Sequence, residues 1–114
     1  MSVDDQIKAA ISAGEMDRLT GLIEGWAWER NLIDGSSPQA QMLKMVEELG
    51  ELAGGISRGK EDVIVDSLGD VFVVWTILCN QLGCDPAFVV AEAWNEIKDR
   101  KGRMVNGVFI KEGD

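Results

Sequence analysis

Acidic side chains in two neighbouring stretches carry most of the chemistry this sequence can support. Residues 63–79, VIVDSLGDVFVVWTILC, form the most apolar run in the chain, and its only charges are Asp66 and Asp70. A spacing of four puts both on one helical face, in a stripe with Val63, Val73, Val74 and Ile77. Like charges at that spacing repel, and burying either without a partner is costly. A bound cation relieves both penalties, so the pair reads as half of a metal site. Glu47, Glu48 and Glu51 offer the other half, being neighbours at i, i+3 and i, i+4. Lys44 lies one turn before Glu48 on the same side. Alone, these four residues read as a solvated polar face, pointing away from the Met42/Leu49/Ile56 side. Beside a helix with acids in its apolar stripe, they suggest that the two acidic faces meet. Oxygen ligands from Asp and Glu select hard cations, Mg²⁺ or Mn²⁺. Such sites hold phosphate substrates, because the ion bridges and neutralises phosphate oxygens. Di-iron bundles use Glu-x-x-His, and histidine is absent.

Composition narrows the function classes further. At 114 residues the chain suits one domain, spanning 1–114. Its net charge of −9 disfavours binding of DNA or RNA as polymers, which needs clustered Lys and Arg. A small phosphate ligand is still compatible, since Lys98, Arg100, Lys101, Arg103 and Lys111 crowd the C-terminal end. The lack of histidine removes imidazole ligands and His-based hydrolytic triads. Cys79 and Cys84 show no zinc spacing and read as reduced core thiols, which fits a cytoplasmic protein. The start, MSVDDQIKAA, has acid where a signal peptide needs base. The uncharged run 71–79 is far short of the roughly twenty residues of a membrane span.

The elements that must position these acids are helices. Residues 2–13 predict a first helix with Ser2 as N-cap, and 15–32 a second with Leu19, Leu22, Ile23 and Trp26 on one face. Ser37-Pro38 opens a third over 38–57, with Met42, Met45, Val46, Leu49, Leu52, Ala53 and Ile56 in one apolar arc. Residues 61–82 predict a fourth, closed by Gly83. Asp85-Pro86 starts a last helix over 86–101, with Lys98, Arg100 and Lys101 in its final turn. Asn106-Gly107 signals a short hairpin. The expectation is an all-α bundle of four to five helices with a minor C-terminal hairpin. Residues 1–14 form an N-terminal extension and 103–114 a tail. The helix over 61–82 is apolar on nearly all sides and must be surrounded, so a second subunit is expected to cover part of it. Trp75 reads as core, Trp26 as core by its face, and Trp94 as either core or near the site. Gly50 and Gly69 each weaken a helix and suggest close helix approach or room for a ligand.

These residues resemble the MazG-like nucleoside triphosphate pyrophosphohydrolases, an all-α superfamily that includes dimeric dUTPases and phosphoribosyl-ATP pyrophosphohydrolase. The family signature is EExxE, a spacer, then ExxD. Glu47-Glu48-Leu49-Gly50-Glu51 matches the first part. Ser67-Leu68-Gly69-Asp70 matches the second at Asp70, with Ser67 where the family has glutamate and Asp66 one residue earlier. Asn95-Glu96-Ile97-Lys98 is similar to the family's Asn-x-x-Lys segment, and the resemblance covers roughly 17–112. It implies Mg²⁺-dependent (or Mn²⁺-dependent) hydrolysis of an NTP or dNTP to the monophosphate and pyrophosphate, in nucleotide-pool cleaning. It implies metal binding by Glu48, Glu51 and Asp70, joined by Asp66, and activation of water by Glu47. Asn95, Lys98 and Lys101 are the implied phosphate or sugar contacts, Trp26 the base-stacking residue, and Lys44 a further substrate contact. The expected partners are a nucleoside triphosphate and a second copy of the chain, with no nucleic-acid polymer or membrane. The rivals are a relative specific for phosphoribosyl-ATP or dUTP, and a catalytically silent helical interaction module.

Overall fold

The computed structural model describes residues 2, 4–5 and 14–113. The helix expected over 2–13 lies largely outside them, although Ser2 Oγ accepts from the Asp5 backbone N–H at 3.0 Å, the capping bond anticipated there. Among residues 14–113 there are four helices: α1 (Met16–Glu29), α2 (Pro38–Arg58), α3 (Glu61–Gln81) and α4 (Pro86–Ile97). They are followed by strands β1 (Gly102–Val105) and β2 (Val108–Lys111). The all-α expectation holds, with the hairpin as the only sheet among the described residues. The chain divides into two compact units, Met1–Gly83 and Cys84–Asp114.

In the first unit, local chemistry sets the ends of the site-bearing helices. Ser37 Oγ accepts from the Ala40 N–H at 3.1 Å, and Pro38 occupies the first turn of α2, where its missing donor has no consequence. Gly59 ends α2 in the left-handed region at φ 64°, donating to Ile56 O, while Lys60 N–H bonds Gly55 O. This tight reversal turns α3 back along α2. Gly55 is buried where the two helices meet. A Cβ there would lie 3.0 Å from Val63 Cγ1 and 3.3 Å from Ile64 Cγ1, so its hydrogen is what permits the approach.

α1 and the turn after it pack on α3 through Ala27, Ile33 and Ile77, with Leu32 and Val73 beside them. Asn80 Nδ2 donates to Glu24 Oε2 at 2.8 Å, tying the same helices together. The Leu19/Leu22/Trp26 face expected to be core is largely open; Ala27 is the residue of α1 that is fully buried.

α2 turns part of its acidic side, through Glu48, toward α3, the meeting of acidic faces that the sequence suggests. Most of its apolar arc is open: Leu49 is 45% and Ile56 60% exposed, and Met42 and Val46 are similarly open, whereas Met45 of the same arc is buried. The buried residues of α2 are Met45, Glu48 and Gly55. On α3, Val74 and Ile77 of the expected stripe are buried and Val63, Asp70 and Val73 half-buried, but Asp66 is exposed and Ser67 takes the inward place at 1% exposure. Cys79 is buried as expected, whereas Cys84 is exposed.

In the second unit, Asp85 caps α4 by accepting from the Ala87 N–H at 2.9 Å. α4 stops at Ile97, four residues before the expected end. Lys98 is its C-cap, Arg100 N–H bonds Ile97 O, and Glu112 N–H bonds Lys101 O at 2.8 Å. Pairing with the β2 end takes Lys101 out of the helix, so the basic residues follow the last turn rather than lie within it. The hairpin pairs Gly102 with Lys111 through Val105 with Val108. Asn106 and Gly107 have φ 51° and 79°, the two positive values that a two-residue turn of this hand requires.

Candidate functional site

The packing of α2 against α3 brings a carboxylate from each helix together. Glu48 is only 5% exposed, and its Oε2 accepts no hydrogen bond. Asp70, half-buried on α3, lies near enough to feel its charge. Burial pushes the Asp70 carboxyl above its ordinary value; the fields of Asp66 and Glu48 add to this, and Lys44 opposes it. Asp66 is therefore felt electrostatically although its side chain is turned outward.

Lys44 sits at the rim of this pair. Its Nζ is 3.4 Å from Glu48 Oε1 and 3.5 Å from Glu47 Oε1, and these carboxylates, Glu47 first, hold the ammonium above its ordinary value. Glu47 and Glu51 are exposed. Among the described residues, no three acidic, cysteine or histidine side chains converge on one point as a shared ion would require. Glu48 and Asp70 meet and Lys44 stands beside them, with Glu47 on the other side of Lys44 and Asp66 near enough for its charge to act on Asp70.

The residues present nevertheless fit a hard divalent ion. The donor set is carboxylate oxygen throughout, and a buried carboxylate oxygen without a hydrogen bond is a position that a cation satisfies. Glu48 and Asp70 would hold such an ion. Gly50 and Gly69, beside these acids, have open space where a Cβ would stand, so neither serves close helix packing within the chain.

One turn along α3 from Asp70, an apolar groove of about 350 Å³ runs between α1 and α3, lined by Leu19, Leu22, Ile23, Trp26 and Val73. Trp26 is 44% exposed rather than core, with the Arg30 guanidinium 4.7 Å from its ring centroid. In the second unit, Asn95, Lys98 and Lys101 are all exposed, as is Trp94. The sequence offered no reason to single out Ser67 as the inward residue of its turn, since Asp66 shares the apolar periodicity better. Glu24 and Asn80, paired across α1 and α3, are too far apart in sequence for any local pattern to link them.

Residues 36–109, which contain the whole acidic constellation and the Asn95–Lys98 segment, match the MazG nucleotide pyrophosphohydrolase domain. The chain belongs to the MazG family. The match begins just before the Ser37 cap of α2 and leaves α1, with Trp26, outside it. A curated relative, an uncharacterized 18.2 kDa protein in the rep-hol intergenic region of Haemophilus phage HP1 (strain HP1c1), is 49% identical over 67 residues, covering 59% of this chain and 41% of that protein. The MazG chain thus spans about two fifths of the length of that relative. No solved structure matches it. Among the described residues, no helix is long and apolar enough to cross a membrane.

Proposed function

We propose that the protein is a Mg²⁺-dependent nucleoside triphosphate pyrophosphohydrolase, with Mn²⁺ as a competent substitute. What supports this most is the buried Glu48 facing Asp70 across the α2–α3 packing, in a chain of the MazG family. Bound by these carboxylates, a divalent ion supplies charge neutralisation for the substrate's phosphate oxygens and acidifies water. Water adds across the anhydride bond between the α- and β-phosphates, giving a nucleoside monophosphate and pyrophosphate. Glu47, exposed at the rim, takes the proton that the water loses. Glu51 and Asp66 complete the ligand set. Asn95, Lys98 and Lys101 donate to phosphate or sugar, and the groove beside Trp26 takes the base. Phosphoryl transfer asks for little else, because positioning and charge neutralisation dominate its catalysis. The protein acts in the cytoplasm, on the nucleotide pool, and as a homo-oligomer that covers the apolar arc of α2.

Incubation with each NTP and dNTP plus Mg²⁺, followed by a pyrophosphate assay, tests the reading. Pyrophosphate and monophosphate in equal amounts from at least one nucleotide is the expected result. Orthophosphate in place of pyrophosphate points to a phosphatase. No release from any nucleotide, with metal still bound, supports a catalytically silent module, the reading that Ser67 favours by removing a carboxylate from the inward face of α3.

A further inference from the structure

Glu48 cannot tolerate its position without a positive charge nearby. It is 5% exposed, it faces Asp70, and one of its oxygens has no hydrogen-bond donor. Lys44 supplies the nearest cation, with its Nζ 3.4 Å from Glu48 Oε1 and 3.5 Å from Glu47 Oε1. The Lys44 side chain is about half exposed (49%), so its long stem has solvent to swing into, and among the described residues its ion pairs are with these two carboxylates. The acids meanwhile stop short of the three-way convergence that a shared ion imposes. We propose that Lys44 is the internal counter-cation of this site: its ammonium occupies the cation side of Glu48 when no divalent ion is bound, and it must withdraw for one to load. Lys44 is then a positioning residue that sets divalent-ion affinity, a role separate from contact with substrate.

The proposal rests on the acidic cluster being a divalent-cation site. Two positive charges competing for one carboxylate disfavour each other, and at a few ångströms in a partly solvated site this amounts to roughly a three- to tenfold change in affinity. The test is Mn²⁺ binding, measured by electron paramagnetic resonance on the full chain without nucleotide. Lys44→Met is expected to bind Mn²⁺ roughly three- to tenfold more tightly than the wild type. Lys44→Arg, which keeps the charge, should stay close to the wild-type value. In chelator, Lys44→Met should melt below the wild type, and Mn²⁺ should raise its melting temperature by more. Lys44→Gln serves as the uncharged variant if the methionine fails to fold. Equal or weaker Mn²⁺ binding by a folded, uncharged variant overturns the proposal alone. No Mn²⁺ binding by either wild type or variant overturns the cation-site reading, and the proposal with it.

Discussion

Asp70 is disfavoured as an anion by burial first, and then by Asp66 and Glu48. Its folded-state pKa is raised, so its contribution to stability is full below the unfolded value and is lost as pH rises through the folded one. In chelator near neutral pH, Asp70→Asn is therefore expected to be more stable than the wild type. That gap should close as pH falls through the ordinary carboxylate range, as read by urea denaturation across pH. A gap that widens on acidification would contradict the assigned cause. Asp70→Asn and Glu51→Gln should both abolish pyrophosphate release while far-UV circular dichroism stays unchanged; lost helix content would argue that these residues are structural. At this scale the sequence was informative about chemistry and poor about orientation. Residue type and spacing singled out Asp66 with Asp70 and the group Glu47, Glu48 and Glu51, whereas which of Glu47, Glu48 and Glu51 turns inward, and that Ser67 rather than Asp66 does, is set by the packing.

The helices themselves were largely legible because their ends are encoded locally. Ser37-Pro38, Gly59, Gly83 and Asp85-Pro86 each act through bonds or backbone conformations within a few residues. The end of α4 was not legible, because the Lys101–Glu112 bond that draws the chain out of the helix closes over eleven positions. What covers the apolar arc of α2 was not legible either, because periodicity locates an apolar face but does not say what packs on it. Glycines separate the two kinds of contact. At Gly55, where Val63 and Ile64 crowd the backbone, Gly55→Leu is expected to cost about 1–3 kcal/mol of stability by overpacking. At Gly50, where a Cβ meets open space, Gly50→Ala should be stabilising by up to about 1 kcal/mol in the isolated chain. Denaturant midpoints measured side by side decide this. Equal effects at the two positions would mean that the α2–α3 approach is not as close as described.

For the molecule as a whole, the described residues bury few large apolar side chains and leave many open. Leu49 and Ile56 on α2, and Val65 and Leu68 on α3, are among the exposed ones. Apolar surface of this extent marks an association surface more often than a solvated one. The wild type is expected to sediment as a dimer or larger at micromolar concentration, and the double substitution Leu49→Glu with Ile56→Lys to sediment as one chain with its helix content retained. A wild-type mass equal to one chain would remove the second subunit from the account. The central claim is that acids from α2 and α3 share one divalent ion. Anomalous diffraction from crystals grown with Mn²⁺ and a non-hydrolysable triphosphate tests it most directly. The expected result is an anomalous peak about 2.1 Å from carboxylate oxygens of both Glu48 and Asp70, with Lys44 moved off Glu48. Mn²⁺ bound only elsewhere, with Lys44 still paired to Glu48 in the presence of the nucleotide, would contradict it.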